Sequence, residues 1–139
     1  MSFKIRALGR DGVGREYEGE IVRQGPEWIF RIPCSLKQDF FEAVFVEVGG
    51  GWIQSTVLWN HCGDEHSAKG IPDALFAYIV DASGLRLRSS RRDDALGFRT
   101  KDADTVWERQ VSKALARYDD AEDRFIYLRA PPPRAPGIL

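Results

Sequence analysis

Three stretches near the start of the chain alternate apolar and polar side chains with a period of two. Phe3, Ile5 and Ala7 alternate with Ser2, Lys4 and Arg6, and Tyr17, Gly19 and Ile21 with Glu16, Glu18 and Glu20. Trp28, Phe30 and Ile32 repeat the pattern until Pro33 stops it. Successive side chains of a strand point to opposite faces, so this spacing demands a sheet with one packed face and one facing water. Gly9-Arg10-Asp11-Gly12 and Gln24-Gly25-Pro26-Glu27 are turn sequences between the stretches, which makes a meander the simplest arrangement.

Beyond Pro33 the pattern is mixed. Ser35 to Phe41 is ambiguous: Ser35 with Gln38 fits a capping box, after which a short helix could follow. Residues 42–48 favour a strand by their branched and aromatic content, and residues 52–59 resume one after Gly49-Gly50-Gly51. Ile53, Val57 and Trp59 share one parity there. Asn60 to Gly70 reads as a polar loop. A helix then opens at Ile71-Pro72, carries Leu75, Phe76, Ile79 and Ala82 on one stripe, and stops at Gly84. Leu85, Leu87 and Ser89 suggest a short strand. A second helix is expected from Lys101 or Asp102 to Tyr118, capped by Thr100 or Asp102. Ala103, Trp107, Val111, Ala114 or Leu115, and Tyr118 recur along it at helical spacing. Phe125 to Leu128 closes the regular structure.

The expectation is an α+β fold: an antiparallel or mixed sheet of about six to seven strands with two main helices packed on one face. Residues 1–129 would form a single domain and residues 130–139 a proline-rich extended tail. The 139 residues are enough to bury a core without staples. The two cysteines, Cys34 and Cys62, make no disulfide framework and are expected to be free thiols. No apolar run approaches a membrane span, and Met1 to Gly9 has no long apolar stretch of the signal-peptide type, so no membrane is expected and the cytoplasm is the default setting.

The densest chemical cluster is His61-Cys62-Gly63-Asp64-Glu65-His66. His61, Cys62, Asp64 and His66 offer nitrogen, sulfur and carboxylate ligands of the kind zinc takes. A fourth protein ligand is missing unless Cys34 arrives from afar, and no paired Cys-x-x-Cys is present. Cys62 beside a histidine is also a candidate thiolate nucleophile, for which the sequence supplies no third member. The plain alternative is a polar surface loop.

Charge is segregated although the formal net charge is only -1. Arg86, Arg88, Arg91, Arg92, Arg99 and Lys101 outnumber Asp93 and Asp94, and an acid-rich stretch follows to Asp123. Arginine forks there, with Ser89 and Ser90 beside them, are suited to phosphates or to a partner's carboxylates. The alternative is internal pairing with the acidic stretch. Arg109, Lys113 and Arg117 recur every four residues, a solvated or partner-facing helix stripe. Glu16, Glu18 and Glu20 read as an outward strand face. Trp107 reads as core, Trp52 as a possible anchor, and Trp59 as a pocket wall beside the His61 loop. The three glycines lack the lysine and hydroxyl of a phosphate loop.

These features point to a small non-enzymatic protein-binding domain, of the inhibitor or accessory-subunit type known from bacteria. Its binding residues would be Arg86, Arg88, Arg91, Arg92, Arg99, Trp52 and Trp59. The competing readings are a metal- or thiol-dependent enzyme centred on the His61–His66 loop and a nucleic-acid accessory module using the Arg86–Lys101 segment. The near-neutral balance argues against nucleic acid. No cofactor is implied, and a second copy of the chain is a possible partner.

Overall fold

The computed structural model describes residues 1–95 and 99–131. The chain runs through β1 (Ser2–Leu8), β2 (Gly14–Gln24), β3 (Glu27–Pro33), β4 (Phe40–Gly49) and β5 (Trp52–Asn60). It continues through α1 (Ile71–Ser83), β6 (Arg86–Ser89), α2 (Lys101–Ser112), β7 (Ala116–Asp119) and β8 (Arg124–Tyr127). All eight strands join one sheet in the order β1-β2-β3-β4-β5-β6-β8-β7. The first five form the meander that their turns predict. The β5–β6 pair is parallel, and α1 is its connection, because parallel neighbours need a crossover of a dozen or more residues.

The period of two decides which face is buried. Phe3, Ile5, Ile21, Phe30, Ile32, Phe45, Ile53 and Leu87 enter one core with Leu75, Phe76 and Ile79 of α1 and Trp107 of α2. The helices touch each other as well as the sheet. Phe76 and Trp107 have ring centroids 4.6 Å apart, and Trp107 stacks on Phe125 at 5.9 Å. Both helices therefore lie on one face. Trp107 is 1% exposed, and truncating such a side chain to alanine costs about 3–5 kcal/mol. No helix among the described residues is long and apolar enough to cross a membrane.

The structure corrects the sequence reading in four places. The second helix ends at Ser112, not Tyr118. The Ala114 N–H donates to the Val111 carbonyl at 3.0 Å and the Leu115 N–H to the Gln110 carbonyl at 2.9 Å. These are the paired bonds of a Schellman ending. Ala114 sits at its left-handed position with φ 61°, where glycine is the usual residue. The chain then reverses into β7, so the sheet has one more strand than expected. Val111 and Leu115 are 40% and 38% exposed instead of lying on a buried stripe. Tyr118 and Arg117 belong to β7.

Secondly, residues 35–39 form no helix. The Cys34 N–H donates to the Asp39 carbonyl at 2.9 Å, and the Ser35 N–H to Glu65 Oε2 at 2.7 Å, which holds the segment as a bent connection. Thirdly, Cys34 and Cys62 are joined in a disulfide with Cα atoms 5.4 Å apart. The meander causes this: β3 and β5 both flank β4 and run the same way, so the residues following each come together. Fourthly, a bulge between Val44 and Phe45 leaves Thr56 unpaired. Ile53 therefore faces the core while Val57, paired with Val44, faces the opposite side. Of the proline-rich tail, residues 132–139 lie outside the described residues.

Candidate functional site

The helix-free face of the sheet can be read row by row from the register. Residues paired across neighbouring strands share a face. One row is Val22, Ile29, Val44 and Val57, apolar across β2 to β5. The next toward the Asn60 end of β5 is Glu20, Arg31, Glu42 and Trp59. On the other side lies Glu27, Val46, Gln54, Arg88 and Ile126. Trp52 and Arg86 pair beyond it. An apolar band is thus bordered by charge, with a tryptophan near each end of β5. Trp59 is 53% exposed and Val22 37%.

Of the basic segment, Arg86 and Arg88 remain at this surface. The Arg86 guanidinium lies 4.6 Å from the Trp52 ring and that of Arg88 5.7 Å. Arg88 Nε donates to Gln54 Oε1 at 3.1 Å, an oxygen that also accepts from Arg124 Nη1 at 2.7 Å. Burial, and then the neighbouring Arg124 charge, lowers the Arg88 pKa from its usual value. Asp94 and Glu122 act in the opposite direction, and Arg88 makes no ion pair among the described residues. Asp94 bonds Gln54 Nε2 at 2.9 Å and pairs with Arg124 at 3.4 Å, so buried Gln54 is the hub of this corner.

The other predicted arginines behave differently. Arg99 has a side chain only 1% exposed and is spent inside the protein. It pairs with Asp104 and with Asp123, and donates to the carbonyls of Ser90 and Asp123 at 2.9 Å each. Arg91 pairs with Glu122. The Arg92 backbone N–H donates to Asp123 Oδ2 at 3.1 Å, while its side chain is exposed. Internal pairing with the following acidic stretch therefore accounts for Arg91 and Arg99. Ser89 and Ser90 are internal too: their hydroxyls donate to the Ser90 and Ser55 carbonyls.

The His61 loop is held by hydrogen bonds and ring packing. Asn60 Oδ1 accepts from the Cys62 N–H at 2.9 Å, and a 3-10 turn covers Gly63–Glu65. His61 packs edge-on against Trp59 at 5.4 Å and Phe40 at 6.4 Å. His66 is buried, its ring edge-on to Tyr17 at 5.3 Å and its Nε2 3.1 Å from the Pro33 carbonyl. Cys62 has no thiol in the disulfide form, which removes it as thiolate nucleophile and as metal ligand in that state. Among the described residues no group of three or more His, Cys, Asp or Glu side chains is placed to hold a metal ion.

Sequence reasoning missed the apolar row Val22–Ile29–Val44–Val57 and the Gln54 hub. The row is a product of register, which local patterning does not contain. Trp59 does line a cleft of about 200 Å³, together with Ser55, Ser90, Thr100 and Trp107, where β5 runs on past the end of β6. Comparison with family models, curated proteins and solved structures gives no match, so the geometry of the chain carries the functional argument.

Proposed function

We propose that this single α+β domain is a non-enzymatic protein-binding module of the inhibitor or accessory-subunit type, and that the helix-free sheet face is its contact surface. The observation that carries the reading is the pattern on that face. The Val22–Ile29–Val44–Val57 row is apolar, Trp59 stands half exposed beside it, and Trp52 lies under Arg86 and Arg88. Aromatic and arginine side chains around an apolar centre are the composition of strong interface positions. The partner is a protein surface with an apolar patch and acidic groups at its edge, since Arg86 and Arg88 make no ion pair among the described residues.

The basic segment supports a nucleic-acid reading less well, because pairing with Glu122, Asp104 and Asp123 removes much of the positive charge that a polyanion would need. A cytoplasmic setting would keep Cys34 and Cys62 largely reduced, whereas an oxidising one would preserve their disulfide. Alkylation of the protein as isolated from its native cells distinguishes the two.

The test is quantitative capture from native lysate with three folded baits. Wild type and Arg129→Glu, altered outside the face, are expected to recover the same partner, and the Arg86→Glu/Arg88→Glu variant to lose most of it. Equal recovery by all three would overturn the reading.

A further inference from the structure

On the helix-covered side, a cavity of about 370 Å³ opens between the turn after β1, the end of β5, the start of α1 and the flank of α2. Its polar lining includes Arg10, Asn60, His66, Gly70, Asp102 and Arg109. Small-molecule sites begin at about 300 Å³, so this space exceeds what a bridging water needs.

Four features of the lining converge on one kind of ligand. First, Arg10 and Arg109 both line the cavity, and neither makes an ion pair among the described residues. Arg109 Nε is shielded from water and makes no hydrogen bond. Second, α1 begins here without a side-chain cap. Its N-cap is Gly70, because a Cβ there would lie 2.2 Å from the Leu8 carbonyl oxygen. The close approach of β1 forbids a capping serine or aspartate, and leaves the positive end of a 13-residue helix at the cavity wall.

Third, His66 is 5% exposed, and its Nδ1 is buried without a partner. Nε2 faces the Pro33 carbonyl at 3.1 Å, and a carbonyl can only accept, so Nε2 carries the proton. Nδ1 of the neutral ring is then an acceptor that lacks a donor. Fourth, Asp102 is the one carboxylate of the lining and is exposed, and Asp73 in the first turn of α1 is already bound by Lys113 and Gln110, so two guanidinium groups outweigh the acid at this cavity.

A bare anion would satisfy the arginines and the helix but would offer nothing to Nδ1. A hydroxyl beside the anionic group supplies that donor. We propose that the cavity binds a small hydroxylated phosphate monoester. Its phosphate is held by Arg10, Arg109 and the first turn of α1, and its hydroxyl donates to His66 Nδ1. Arg and helix N-termini are the usual partners of such a group.

The test is calorimetric titration of the full chain with glycerol 3-phosphate and with sulfate, an oxyanion that has no proton to donate, alongside ¹⁵N NMR of the His66 ring. Glycerol 3-phosphate is expected to bind, to bind more tightly than sulfate, and to shift the His66 Nδ1 resonance. Arg10→Gln, at an exposed position that preserves the fold, is expected to weaken binding at least about tenfold, as is Arg109→Gln. Arg23→Gln, whose side chain pairs with Glu47 away from this cavity, is expected to leave it unchanged. Absence of binding at millimolar ester, or an affinity that Arg10→Gln does not alter, would overturn the assignment. Sulfate, which carries no proton to donate, binding as tightly as the ester would overturn the role of the hydroxyl. Arg86 and Arg88 play no part here, so these outcomes are separate from those for the sheet face.

Discussion

Removing the Cys34–Cys62 disulfide gives a loss of stability that can be worked out in advance. The bond ties the end of β3 to the residues just after β5, closing a loop of 28 residues that contains the β4–β5 hairpin. The chain-entropy relation for a loop of that length gives about 3.6 kcal/mol at room temperature. For a domain of 139 residues the unfolding entropy is about 0.29 kcal/mol/K, so the melting temperature should fall by about 12 °C. The Cys34→Ala/Cys62→Ala variant is the right perturbation. Cys62 is 8% exposed, and serine there would add a hydroxyl in need of a partner. Reduced wild type provides the control, because it loses the constraint and keeps both sulfur atoms. Urea titration and calorimetry should place both forms about 2–4 kcal/mol below the oxidised protein, the lower end applying if the reduced denatured chain keeps hairpin structure. A loss under about 1 kcal/mol in both would refute the argument that the bond constrains the unfolded chain.

Two further outcomes follow from local geometry. Ala114→Gly should stabilise the protein by about 0.5–1 kcal/mol in urea titration, because glycine takes the left-handed position of the α2 ending without steric cost. Asp123 accepts from the Tyr118 hydroxyl at 2.7 Å and pairs with buried Arg99 at 2.9 Å, contacts that hold its carboxyl well below the usual aspartate range. A depressed folded pKa gives stability that is present above the unfolded value of 3.8 and lost as pH falls through the folded one. Asp123→Asn should therefore cost about 2 kcal/mol at neutral pH, with the gap to wild type closing in strong acid when thermal melts are compared across pH.

Period and punctuation made most of the fold legible. Phe3-Ile5-Ala7, Trp28-Phe30-Ile32 and the Ile71–Gly84 helix follow from side-chain spacing and from residues with restricted or permissive backbones. The end of α2 was illegible for a definite reason. Ala114 occupies a position where glycine would have announced the stop, and its high helix propensity reads as continuation. The disulfide was hidden because it depends on β3 and β5 flanking the same strand, a fact of sheet order. Site legibility followed the same rule. Composition drew attention to Arg86, Arg88, Trp52 and Trp59, which do share one face. It could not separate them from Arg99, whose neighbours Asp104 and Asp123 are brought in by tertiary structure.

The contact surface itself can be read directly by oxidative footprinting of the tryptophans in the free protein and in the captured complex. Trp107 and Trp28 are already buried and serve as internal references. Trp59 and Trp52 are expected to lose most of their reactivity when the partner is bound. Both remaining as reactive as in the free chain, while residues on the outer flanks of α1 and α2 become protected, would contradict it.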